Sequence, residues 1–202
     1  MTASQPRTGS ARDEFGEIRA GHYRLLSLLL ASPPAAEMLK RVAALSGDDS
    51  ALGQAYRNLA RIAATADPAD VAREHFELFT GVGRGELLPY ASFYLTGFLN
   101  ERPLAALRAD LSTLGIERAA GNHDPEDHIA IICEVMAGLA AGQIAPQGAL
   151  SEAAIFDRHL APWAAQFFDD LAIAPSARFY RPLAEIGRIW IDIEARAFAL
   201  AA

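Results

Sequence analysis

The sequence predicts an all-α protein, a single-domain bundle of about nine or ten helices with one glycine-rich loop near residues 80–89. Three observations predict it. Apolar residues recur every three or four positions along most of the chain, as in Phe15, Ile18, His22, Leu25, Leu26 and Leu29. No run alternates apolar and polar residues between turns, the pattern a half-buried strand requires. Helix-start and helix-stop residues punctuate the periodic segments at intervals of one to three helical turns or more.

The elements follow in order. Residues 1–12 (MTASQPRTGSAR) are small and polar without periodicity and are expected to form a flexible tail before the helical domain of residues 13–202. Asp13 is placed to cap the first helix, which Ser32-Pro33-Pro34 stops. Two helices are expected over 35–45 and 49–66. Asp67-Pro68 then combines an N-cap with a proline at the first helical position and starts a helix reaching Phe79. TGVGRGELLP holds three glycines and a proline and reads as a loop. A short helix from Ala91 or Ser92, one over 103–114 ending at Gly115, and an apolar one ending near Gly142 come next. Helices over 146–160, 162–173 and 176–200 complete the set.

Composition narrows the function. The 202 residues carry a formal charge of −7, which argues against nucleic acid, a partner that selects clustered positive charge. Cys133 is the only cysteine, so an intrachain disulfide and a cysteine-based metal cluster are excluded. The N-terminal segment has no apolar core of a secretory signal, and the run Leu25–Ala31 is too short to span a bilayer. A cytoplasmic protein without stable membrane insertion is expected.

Four constellations bear on chemistry. The segment His123-Asp124-Pro125-Glu126-Asp127-His128 concentrates two imidazoles and three carboxylates, ligand types for a metal. The five-residue separation of the histidines does not suit one helix face. A capping account fits better, with Asp124 as N-cap, Pro125 at the first helical position and Asp127 three residues after the cap. His128 should be partly buried at a helix N-terminus, where the dipole disfavours the imidazolium. The Gly81-x-Gly83-x-Gly85 spacing invites a phosphate-binding reading, which fails because no strand precedes it and no Walker lysine follows; a hinge or open binding edge is the alternative. Leu87, Leu88, Pro89, Tyr90, Phe93, Tyr94 and Phe98 form a dense apolar cluster that is core by default and a groove wall for an apolar peptide otherwise. His159, Trp163, Phe167 and Phe168, and then Phe179, Tyr180 and Trp190, read as core.

Taken in order, four stretches resemble the TorD/DmsD/NarJ-type family of redox-enzyme maturation chaperones, closest to its TorD/DmsD branch. Phe76-Glu77-Leu78-Phe79-Thr80-Gly81 is similar to the family's aromatic-x-Leu-Phe-x-Gly. Leu88-Pro89-Tyr90-Ala91-Ser92-Phe93-Tyr94, followed by Gly97, is similar to Pro-aromatic-x-Ser-x-Tyr, with Tyr90 where some members carry Trp. Asp124-Pro125-Glu126-Asp127-His128 is similar to Glu-Pro-x-Asp-His, with Asp124 in place of the leading Glu. His159-Leu160-Ala161-Pro162-Trp163 and Phe179-Tyr180 are similar to the C-terminal motifs.

The resemblance implies an all-helical protein without catalytic activity or cofactor that binds the twin-arginine signal peptide or N-terminal region of a molybdopterin oxidoreductase precursor. It would delay export until the client's cofactor is loaded, and a formate dehydrogenase-like client is slightly favoured. The client-binding residues it implies are Leu78 and Phe79 from the first stretch and Pro89, Tyr90, Ser92, Tyr94 and Gly97 from the second. Asp124, Asp127 and His128 come from the third. An apolar leader with an arginine pair also suits a chain of net negative charge. The alternatives are a metal-dependent helical hydrolase using the His123–His128 segment, and an assembly subunit whose aromatic cluster is a permanent interface. Monomer and dimer are both compatible, with the loop at Gly81 to Gly85 as the hinge of a swapped dimer.

Overall fold

The computed structural model describes residues 9–118 and 124–201. Ten α-helices and no strand occur among them: α1 (Gly9–Ala31), α2 (Ala36–Ala43), α3 (Ala51–Ala63), α4 (Pro68–Phe79), α5 (Ala91–Thr96), α6 (Arg102–Thr113), α7 (Ile129–Ala140), α8 (Glu152–Ile155), α9 (Ala164–Ile173) and α10 (Tyr180–Ala201). Residues Phe156–Leu160 continue α8 as a π-helical turn. None of these helices is long and apolar enough to cross a membrane.

The core is organised around α7. Its sequence IAIICEVMAGLA has almost no polar face, and it is buried on nearly every side, as a helix that is hydrophobic all round must be. α1 lies along it, while α10 packs against both α9 and α3, and α2 pairs with α3. Trp163, Phe167, Phe168, Phe179 and Tyr180 are all fully or almost fully buried in one continuous apolar cluster with these helices. Cys133 is buried there as well.

Local chemistry explains the element ends. Asp67 accepts from the N–H groups of Ala69 (2.8 Å) and Asp70 (3.4 Å) with Pro68 next to it, the expected start of α4. Ser50 caps α3 through Gly53 N (3.0 Å). The loop after α4 folds back on that helix: Leu87 N donates to Leu78 O (2.8 Å) and Glu86 N to Glu77 O (3.1 Å). Gly81 takes φ +62°, and a Cβ on Gly85 would lie 2.6 Å from Leu78 O, so both glycines are dictated by backbone geometry.

Several boundaries differ from the sequence expectation. Among the described residues α1 already runs from Gly9, so Asp13 lies within the helix and not at its start; residues 1–8 of the expected tail lie outside the described residues. The helix expected from Pro146 starts instead after Ser151, whose hydroxyl accepts from Ala154 N (3.1 Å), because residues 147–150 close a tight turn first. The last helix starts at Tyr180 rather than Ser176, since Ser176 is tied by its N–H and hydroxyl to Glu86.

Two ionic joints hold helices distant in sequence. Arg19 of α1 pairs with Glu194 of α10 and with Glu152 of α8 (2.7 Å), and Tyr23 donates to Glu194 (2.9 Å). The buried Glu74 of α4 accepts from the N–H groups of Arg178 (2.8 Å), Phe179 (3.1 Å) and Tyr180 (2.9 Å). It thereby satisfies the N-terminus of α10 with a carboxylate, where the helix dipole favours negative charge.

Candidate functional site

The second and third sequence motifs meet at the starts of α5 and α7. Each helix has N–H groups at its first turn with no partner inside the helix, and each takes partners from the segment leading into the other. Ala91 N donates to Asp127 O (2.9 Å) and Ile129 N to Pro89 O (2.8 Å), which closes a short antiparallel bridge between Tyr90 and His128. The Asp127 carboxylate then reaches across to α5, where Oδ2 accepts from Ser92 N (2.8 Å) and from the Ser92 hydroxyl (2.5 Å). Asp127 and Ser92 are both fully buried. The sequence expectation that Asp124 caps the following helix, with Asp127 completing a capping box, is therefore incorrect.

The cap of α7 is His128. Its Nδ1 accepts from Ala130 N (3.1 Å), which places the ring proton of the neutral form on Nε2. Burial, with a smaller contribution from His75, pushes its pKa down from 6.5 to about 4, against the opposing pull of Asp124 and Asp127. The Tyr90 ring meets the His128 ring edge-on at 5.1 Å. The Tyr90 hydroxyl points to Asp124 Oδ1 at 3.5 Å, long for such a bond, and burial followed by the nearby Asp124 and Asp127 charges pushes it up to about 12. Glu126, between them, is held by Arg108 (2.8 Å), which faces it from α6.

The remaining residues of the expected site separate by burial. Leu78 is fully buried and belongs to the core; only its carbonyl serves the site, by holding Leu87. Phe79 is half-buried against His75 (5.0 Å) and Tyr180 (5.5 Å). Tyr94 points away from the joint, onto Trp163 (5.4 Å), with its hydroxyl on Asp170 (3.1 Å). Gly97 is exposed and ends α5 at φ +83°. The structure thus brings Pro89, Tyr90, Ser92, Asp124, Asp127 and His128 together.

Directly after this joint, α5 and its exit turn expose Leu95 (42%), Phe98 (70%) and Leu99 (41%). Phe93 is half-buried beneath the Arg84 guanidinium, 5.2 Å from its ring centre. The aromatic cluster is therefore divided: Pro89 is interior, while its C-terminal part is surface.

Metal chemistry has little to work with here. Among the described residues no group of three or more His, Cys, Asp or Glu side chains could hold a metal. His123 lies outside the described residues, and Asp127 and His128 are already engaged with Ser92 and Ala130. Sequence reasoning also missed Glu74 and Asp110, the latter accepting from Arg158 (3.2 Å) and lying 2.8 Å from His159 Nε2. Glu74 had a visible signal: a carboxylate between Val71 and Leu78, at the spacing of the buried face of α4.

These features can be set beside known proteins. A redox enzyme maturation protein from Archaeoglobus fulgidus has a solved structure that superposes with a TM-score of 0.55 over 95% of this chain and 98% of its own, at 16% identity. The fold is therefore the all-helical fold of that protein. The family model described as nitrate reductase delta subunit matches residues 46–169, which contain both halves of the joint. The chaperone protein TorD of Vibrio cholerae is 34% identical over 106 residues, 48% of each chain, and that of Shewanella loihica is 26% identical over 194 residues, 91% of this chain and 77% of its own. The chain spans about half the length of the Vibrio relatives it matches. It belongs to the nitrate reductase delta subunit family, the TorD/NarJ family recognised in its motifs.

Proposed function

We propose that the protein is a cytoplasmic chaperone that acts by binding and not by catalysis. Its partner is the precursor of a molybdopterin oxidoreductase, held by its twin-arginine signal peptide or N-terminal region while cofactor is inserted and export is delayed. The observation that carries this reading is the position of the exposed Leu95, Phe98 and Leu99 immediately beyond the Tyr90–Asp124–Asp127 joint. A leader peptide has an apolar segment and an arginine pair. The exposed apolar residues suit the first and the exposed Asp124 carboxylate suits the second. Family membership and the TorD relatives support the same class of function.

Within this reading Asp127, Ser92 and His128 work from inside. They fix the backbone from Pro89 to Ser92, so that Tyr90 and the α5 exit turn meet the client preorganised, which lowers the ordering cost of binding. Titration calorimetry with leader peptides of oxidoreductase precursors, a formate dehydrogenase-like one first, tests the proposal. Binding is expected for the native protein, with a loss of about tenfold or more for Phe98→Asp at an unchanged melting temperature. No heat with any leader at any salt concentration would end it.

A further inference from the structure

Phe93 stands on α5 between Tyr90, which reaches Asp124, and the exposed Leu95 and Phe98, and a cation of this chain lies over its ring. The Arg84 side chain is exposed and has no ion pair among the described residues. Glu86, two residues on, is turned to Ser176 instead. The guanidinium therefore rests 5.2 Å from the ring centre by attraction to the electron-rich aromatic face. Tyr94 meets the Phe93 ring edge-on at 5.9 Å.

The loop fixes the Arg84 backbone but leaves its side chain free to move. Gly81 N donates to Phe76 O (2.6 Å), Glu86 N and Leu87 N are bonded to α4, and a Cβ on Gly81 would strike the Arg84 carbonyl. Gly83 has open space around it, and Val82 beside it is 98% exposed. Rotation of the Arg84 side chain alone uncovers the ring.

We propose that the Phe93 ring face is a subsite for a guanidinium of the client's leader, and that Arg84 is its resident competitor in the free protein. The inference rests on the leader-binding reading above and gives the two arginines separate seats. One goes to the Asp124 carboxylate beside Tyr90, the other to the ring about one helical turn further on. The subsite selects arginine over lysine, because a planar, weakly hydrated guanidinium stacks on an aromatic face where an ammonium retains its water. Two like charges do not share one ring face, so a leader arginine must displace Arg84, and the complex is weakened by the strength of the internal contact.

Titration calorimetry tests this with a leader peptide and with the same leader carrying glutamines in place of its arginine pair. Arg84→Ala should tighten the arginine leader about two- to fivefold and leave the glutamine leader unchanged. Phe93→Leu should change the affinity little while Arg84 is present, because subsite and competitor are lost together, and it should cancel the gain of Arg84→Ala in the double variant. A gain that persists in the Phe93→Leu background, or with the glutamine leader, would reduce Arg84 to general charge repulsion and overturn the proposal. So would a native protein that binds the leader alongside an Arg84→Ala variant that binds it equally or less well. Binding by none of the variants would instead end the leader-binding reading, and this inference with it.

Discussion

Replacing Asp127 by alanine should cost far more than the loss of a local helix cap. The carboxylate is fully buried and accepts two bonds from Ser92, one from its N–H at 2.8 Å and one from its hydroxyl at 2.5 Å. Hydrogen bonds to a charged group contribute about 1.5–3 kcal/mol each, and an orphaned buried donor costs a similar amount. Against this stands the desolvation of the carboxylate, whose Oδ1 has no hydrogen-bond partner among the described residues and is relieved on truncation. The balance is a loss of about 2–4 kcal/mol, compared with about 1 kcal/mol for a peripheral N-cap. Urea denaturation at neutral pH measures it. Ser92→Ala should overlap with Asp127→Ala, the double variant falling short of additivity by about 1–2 kcal/mol. Client affinity should fall together with stability, because Asp127 acts through the placement of Tyr90. A loss below about 1 kcal/mol that is additive with Ser92→Ala would refute the joint, returning Asp127 to the role of a simple cap.

Two further outcomes follow from buried groups. His128 stays neutral in the fold down to about 4, whereas the unfolded chain binds the proton near 6.5, so stability falls as pH drops through that window and levels off below it. The effect amounts to about 2 kcal/mol between about pH 7 and pH 5; His128→Asn keeps a capping acceptor and should flatten the slope by that amount in paired denaturation curves. Glu74→Ala strips three N–H partners from the start of α10 and should cost about 2–4 kcal/mol, with hydrogen exchange accelerated first at residues 178–180.

What could be read from the sequence was local. The Asp67-Pro68 cap, the loop after Phe79 and the apolar helix ending near Gly142 depend on neighbours within a few residues, and each stands where the sequence places it. The functions of Asp127 and Glu74 are settled by partners 35 and more than 100 positions away, which no local pattern encodes. Capping logic applied to Asp124-Pro125-Glu126-Asp127 failed for that reason: Asp127 does serve a helix start, but the start belongs to α5, while Glu126 pairs with Arg108 of α6. The motif resemblance reached further than the periodicity did. It grouped Pro89, Tyr90, Ser92, Asp127 and His128 before their contact was visible, but it did not separate Leu78, which is core, from the residues that reach the surface.

The pairing of α1 with α7 has a consequence in time. About 100 residues separate the end of the first helix from the start of the one it packs along, and synthesis proceeds at about 5–20 residues per second. The nascent chain therefore carries Leu26, Leu29 and Leu30 uncovered for about 5–20 s before α7 leaves the ribosome. Arg19 waits longer still, since Glu194 lies 175 positions downstream. α1 is thus enclosed long after it is made, and the ion pair that fixes it forms only when translation of α10 is nearly complete.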